Sequence, residues 1–170
     1  MLILIALIVS VWLLIQTTPV QNWLVRQVTS KLSKDLKTTV HIRHVDFALF
    51  NKMLLEGTLV KDQHEDTLLY AGTASVRITD WFFFKESVEL EYIGLKDASI
   101  HLHRTDSTWN YQFLMEYFSG PKKAGSQKNI DLNLKRVELE NVAVVQQDAW
   151  RGENLSASFN SLTVDAEQLD

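Results

Sequence analysis

The sequence predicts a mainly β protein: an N-terminal transmembrane helix and an amphipathic helix, then a curled antiparallel sheet with one short aromatic helix. Three observations predict it. An unbroken apolar run opens the chain, near-fourfold apolar spacing follows it, and two-residue alternation runs from Val40 almost to the last residue. Composition agrees: of 170 residues, 46% are hydrophobic and 22% charged, which suits a globular or membrane-associated chain and not a disordered one. The net charge of −4 leaves no footprint for nucleic acid. There is no cysteine, which excludes disulfide staples and thiolate metal sites. Two prolines and six glycines leave few punctuation marks, so long elements are expected.

The first element is the run Leu2 to Ile15, whose one polar member is Ser10; no charge occurs before Arg26. As a helix it reaches about 21 Å, less than the ~30 Å hydrocarbon core. No basic residue precedes it, and Gln16-Thr17-Thr18-Pro19 offers no small-residue cleavage site, which argues against a secretory signal. Its all-round apolarity argues against a core helix. The expectation is an uncleaved anchor over residues 1–18, shortened at its start, with Leu2, Ile5, Ile8, Trp12 and Ile15 in the membrane. Trp12 and Trp23 suit an aromatic belt. The cations that follow, Arg26, Lys31, Lys34 and Lys37, would by the positive-inside rule hold that flank in the cytoplasm.

Residues 19–37 form the second element. Thr18 is a good N-cap and Pro19 a good first helical residue. Val20, Trp23, Leu24, Val28, Leu32 and Leu36 recur mostly four apart, with Arg26, Ser30, Ser33 and Lys37 opposite. Trp23, Leu24, Val28 and Leu32 are therefore candidates for an interfacial contact, or for packing on the protein's own domain, or both.

From residue 38 to 170 the period is two. Val40 and Ile42 alternate, then Val45, Phe47 and Leu49, with a slip near His44 that suits a bulge. Further runs are Leu55-Gly57-Leu59, Ala74-Val76-Ile78, Val88-Leu90-Tyr92, Ala98-Ile100-Leu102, Ile130-Leu132-Leu134, Val142-Val144 and Leu162-Val164-Ala166. Polar partners such as Thr73, Ser75, Arg77 and Thr79 alternate with them, the pattern of antiparallel strands wet on one side. The run Trp81-Phe82-Phe83-Phe84 and the aromatic helix Trp109 to Phe118 interrupt the strands; both read as packing or as membrane contact. A basic linker, Ser119 to Lys128, follows. Ile93 to Ile100 aligns with Val137 to Val144 at a spacing of 44, each with an Asx residue, Asp97 or Asn141, read as a tight reversal between two strands. Alternation continues to Leu169, as expected for the N-terminal piece of a longer β-rich protein.

No nucleophile elbow, phosphate loop, dinucleotide fingerprint or zinc-binding helix motif is present, so catalysis and cofactors are not expected. His101 and His103 share a strand face but have no third ligand cluster, and Asp62, Glu65 and Asp66 read as turn residues. What remains is a sheet with one greasy face and too few helices to cover it. Curled inward, it would form a gutter for acyl chains, each buried CH₂ contributing about 0.8 kcal/mol. Val40, Ile42, Val76, Ile78, Leu90, Ile100, Leu102, Leu132 and Leu134 are the candidate lining, with the choice of inward set open.

Thr18-Pro19-Val20-Gln21-Asn22-Trp23-Leu24, Leu32 to Ile42, Val45-Asp46-Phe47, Leu54-Leu55-Glu56-Gly57, Asp62 to Ala71 and Trp109-Asn110-Tyr111-Gln112-Phe113 together resemble the N-terminal region of TamB (translocation and assembly module) proteins, in their Bacteroidetes form. That family belongs with the AsmA-like proteins. The resemblance covers nearly the whole chain and implies an inner-membrane, single-pass anchor in a Gram-negative bacterium, with the bulk of the chain in the periplasm as a β-taco groove. It implies phospholipid carried toward the outer membrane, or alternatively outer-membrane and autotransporter barrels guided by strand docking. It also implies an outer-membrane partner of the TamA type.

Overall fold

The computed structural model describes residues 18–48, 52–78, 87–119 and 129–165, with Met1, Ile3 and Ala6. The anchor candidates Leu2, Ile5, Ile8, Trp12 and Ile15, the aromatic run 81–84 and most of the basic linker lie outside them. Among the described residues no helix is long and apolar enough to cross a membrane.

Helix α1 (Thr18–Leu36) is followed by β1 (Val40–His41), β2 (His44–Ala48), β3 (Lys52–Lys61), β4 (Thr67–Ile78) and β5 (Ser87–Arg104). Helix α2 (Gln112–Ser119), β6 (Asn129–Asp148) and β7 (Glu153–Asp165) complete the order. The protein is mainly β, as the alternation predicts. β1 and β2 share one edge position against β3, broken at Ile42 and Arg43 where the sequence slips phase. From there the sheet runs β3-β4-β5-β6-β7 and does not close on itself.

Two expectations are corrected. The sheet is mixed and not antiparallel: β5 and β6 run parallel along most of their length, and α2 lies in the crossover between them. Parallel neighbours need such a crossover, whereas antiparallel ones can be joined by a tight turn. The Asx residues at the repeat are not reversals either. Asp97 and Asn141 each lie inside one continuous strand, of 18 and 20 residues. Both have φ of 52°, a left-handed kink that Asp and Asn tolerate better than most side chains. The repeat itself is real in register: Ile93 pairs with Val137, Leu95 with Leu139, Ala98 with Val142 and Ile100 with Val144.

The core lies on one face of the sheet. Val28 of α1 is 1% exposed, among Ile42, Val45, Leu55, Ala71 and Ala74. α2 adds Phe113, with Leu114 and Tyr117 beside it. Burial, and then the Asp35 carboxylate of α1, push the Tyr117 phenol up to about 12.

Candidate functional site: the open apolar face

Pairing register shows how the apolar face is built. Met53, Val76, Ile93, Val137 and Val164 stand in one row across β3 to β7. Leu55, Ala74, Leu95, Leu139 and Leu162 form the next. Then the alternation breaks in every strand at once. Gly57, Gly72, Asp97, Asn141 and Asn160 lie abreast between the paired residues on either side. Gly57 takes φ of 58° here, and Asn141 Nδ2 donates to Asp97 Oδ1 at 2.6 Å.

Beyond this crease the next apolar row is Thr58, Ala71, Ala98, Val142 and Phe159, and after it come Ile100, Val144 and Ala157. Leu95 and Ala98, three apart, therefore face the same side, as do Leu139 with Val142 and Phe159 with Leu162. A regular strand would put residues three apart on opposite faces. The crease resets the phase in all five strands together, so the greasy side continues beyond it as far as Ile100, Val144 and Ala157; in the next row Gln146 stands between Leu102 and Leu155. The opposite face carries Glu56, Thr73, Lys96, Glu140 and Ser161 in one row, with Lys96 Nζ donating to Glu140.

Cover over the apolar face is uneven. α1 lies on β1 and β2, and α2 lies against α1 and β6. Val142 beneath them is 1% exposed. On β7, Leu155 is 63% and Val164 42% exposed, with Phe159 and Leu162 half-buried. The face is a closed core at the β1 side and an open strip at the β7 side.

The candidate lining residues divide accordingly. Val40 and Ile42 are buried in the closed core. Val76, Ile100 and Leu102 are half-buried against it, on the inward face. Leu90 is buried outside the main cluster, and Leu134 is half-buried. The side chains of Ile78 and Leu132 lie outside the described residues. Of the interfacial candidates, Leu24 and Val28 are buried and Leu32 packs on the core, while Trp23 is 52% exposed. Sequence reasoning found Leu162 and Val164 but passed over Leu155 and Phe159. The signal was present as alternation through Leu155-Ser156-Ala157-Ser158-Phe159, diluted by small residues.

A polar knot closes the sheet end formed by the β3–β4 turn and the end of β5. Asp62 is fully buried, and its Oδ1 accepts from the backbone N–H groups of His64 at 2.8 Å and Asp66 at 3.0 Å. Its Oδ2 accepts from Asn110 Nδ2 at 3.3 Å and lies 3.6 Å from His103 Nε2. Asn110 also donates to the His101 carbonyl at 3.0 Å. Asp62, Asp66 and His103 bring ligand-type atoms within 4.8 Å of one another, but the Asp62 oxygens are already engaged, which suits a structural clasp. His101 is exposed, and it lines a surface hollow together with Asp66 and His103. Beside the knot, Arg104 bridges β5 to Asp148 of β6 through two contacts, 2.7 and 2.5 Å. The guanidinium holds the Asp148 carboxyl below the usual aspartate range. Comparison with protein families, curated proteins and solved structures returned no match.

Proposed function

We propose that the chain is the membrane-proximal mouth of a TamB-like periplasmic scaffold, anchored in the inner membrane, whose apolar sheet face conducts phospholipid acyl chains toward the outer membrane. The observation that carries this reading is the apolar face, held in phase across the crease and left open along β7 among the described residues. A face built only to close a core would need no greasy side chains where no described helix reaches. An open apolar strip with a polar reverse side suits acyl chains, which need no specific hydrogen bonds.

Photo-crosslinking in cells tests this. A crosslinker at Leu162, on the apolar face, is expected to form lipid adducts, and one at Thr163, on the reverse face, is not. Adducts at both positions, or at neither, overturn the proposal.

The edge position of β7, with no further strand beside it among the described residues, also favours a second reading, guidance of outer-membrane barrel strands by β-augmentation. Strand docking predicts protein adducts from edge positions on both faces and an indifference to Leu162→Asp. Lipid conduction predicts that Leu162→Asp abolishes the lipid adducts formed from a neighbouring apolar position, Phe159.

A further inference from the structure

Helix α1 is pinned to the sheet at its C-terminal end, where Ser33 Oγ accepts from the Val40 N–H at 3.0 Å and the Ser33 carbonyl accepts from the Thr38 N–H at 3.2 Å. It then lies back along β1 and β2. Its 19 residues span roughly 27 Å, about the reach of extended chain from Val40 to Ala48. The Thr18 end of α1 therefore comes level with Ala48 and Lys52, opposite the end that holds the Asp62 knot.

On the polar face at that level, Lys52 pairs with Arg77, Arg77 with Tyr92, and Tyr92 with Arg136. Like charges placed directly opposite destabilise a sheet. The neighbouring cations are answered: Arg136 by Glu138 at 2.7 Å, Lys135 by Glu91 at 2.8 Å. Lys52 and Arg77 make no ion pair at contact distance among the described residues; the carboxylate nearest in effect is Glu138, which Lys52 helps hold below the usual glutamate range but which contacts Tyr92 and Arg136. Lys52 and Arg77 each sit 5.6 Å from the centroid of the same Tyr92 ring. That ring is fixed beneath them. Its hydroxyl donates to Glu138 Oε2 at 2.7 Å and occupies the space over Gly94, where a Cβ would stand only 2.6 Å away. Two adjacent cations are thus presented outward on a rigid aromatic seat. Trp23, half-exposed in the second turn of α1, lies toward the same end of the molecule.

We propose that Lys52 and Arg77 form a docking surface for anionic headgroups of the bilayer faced by the Thr18 end of α1. The inference rests on the anchored, membrane-proximal reading above. It adds that the Lys52–Arg77 corner of the sheet's polar face is held against an acidic membrane surface. A headgroup phosphate supplies the contacting anion that the pair lacks, and cations near an anionic bilayer bind it with an advantage of roughly fivefold each.

The chain has no cysteine, so single labels can be placed cleanly. The full chain is reconstituted in nanodiscs with a headgroup-linked acceptor dye and a donor at Thr163→Cys or at Ala149→Cys, the latter in the turn at the far end of the sheet. Transfer is expected to be stronger from position 163 than from 149 in every nanodisc. Equal or reversed transfer would overturn the orientation, and the proposal with it. Given the correct orientation, transfer from position 163 is expected to rise when phosphatidylglycerol replaces phosphatidylcholine. The rise should vanish in the K52Q/R77Q double variant and survive in K52R/R77K. No rise, or one that persists in K52Q/R77Q, defeats the headgroup surface and leaves the anchored reading standing. Loss of the rise on adding inorganic phosphate at matched ionic strength would mark a free-phosphate site and defeat it too.

Discussion

Asp62 shows how much one buried carboxylate can organise. It orders the β3–β4 turn through two backbone N–H groups and reaches 48 residues along the chain to Asn110. Replacing it by Ala removes the acceptor of two part-buried backbone N–H groups and one of the Asn110 partners, at a cost of about 1–3 kcal/mol. Chemical denaturation of Asp62→Ala should show this as a lower midpoint with an unchanged slope. Asp148 gives a pH dependence of known sign. Its folded pKa is lowered from 3.8, chiefly by Arg104, so its contribution is complete above that value and is lost as pH falls through the lowered one. Thermal melts taken from neutral toward acid pH should fall more steeply for the native chain than for Asp148→Asn. The turn role of Asp62 was legible in the sequence, because Asx residues bond their own backbone two residues on. Its burial was not, because that depends on Asn110 arriving from another element.

At the scale of elements, the crease and the crossover carry the fold. Asn141 tolerates its φ of 52°, and a β-branched residue there would not. Asn141→Val is expected to cost about 1–2 kcal/mol, while Asn141→Gly should be nearly neutral. A denaturation series of the two variants separates backbone strain from loss of the Asp97 contact. Phe113 is the buried side chain of α2, and Phe113→Ala should cost about 3 kcal/mol and loosen the helix from the core. Hydrogen exchange confined to residues 112–119 would register it. Alternation in β4 was readable directly, Ala74 and Val76 against Thr73, Ser75 and Arg77, while the choice of inward set came from the packing of α1 and α2. The 44-residue repeat was readable as well, but its geometry was not. An Asx residue between two alternating runs fits a reversal and an in-strand kink equally well, because the same tolerance of left-handed backbone serves both. Parallel pairing left no mark in the alternation, since β5 and β6 also keep one polar face.

For the molecule as a whole, the asymmetry of cover decides the behaviour. The β1 side is a finished core, and the β7 side is an open edge with greasy side chains. Exposed edges of this kind template further pairing. The chain in isolation is expected to self-associate with rising concentration and to bind a hydrophobic dye. Leu155→Lys with Val164→Lys should reduce both, as followed by analytical ultracentrifugation and dye fluorescence. Unchanged association would place the sticky surface elsewhere.

The in-register parallel pairing of β5 and β6 has a genetic consequence. Equivalent residues 44 apart lie side by side, and so do their kinks and charge pairs, Lys96 with Glu140 and Arg104 with Asp148. An in-frame duplication of one such unit would bring its own crossover, its own phase reset and a matching edge. Equivalent charges would then fall abreast, Lys96 beside Lys96 and Asp97 beside Asp97, so a copy docks on the old one only with complementary changes at those positions. The length of such an array becomes a quantity that selection can adjust in whole steps, one copying event at a time.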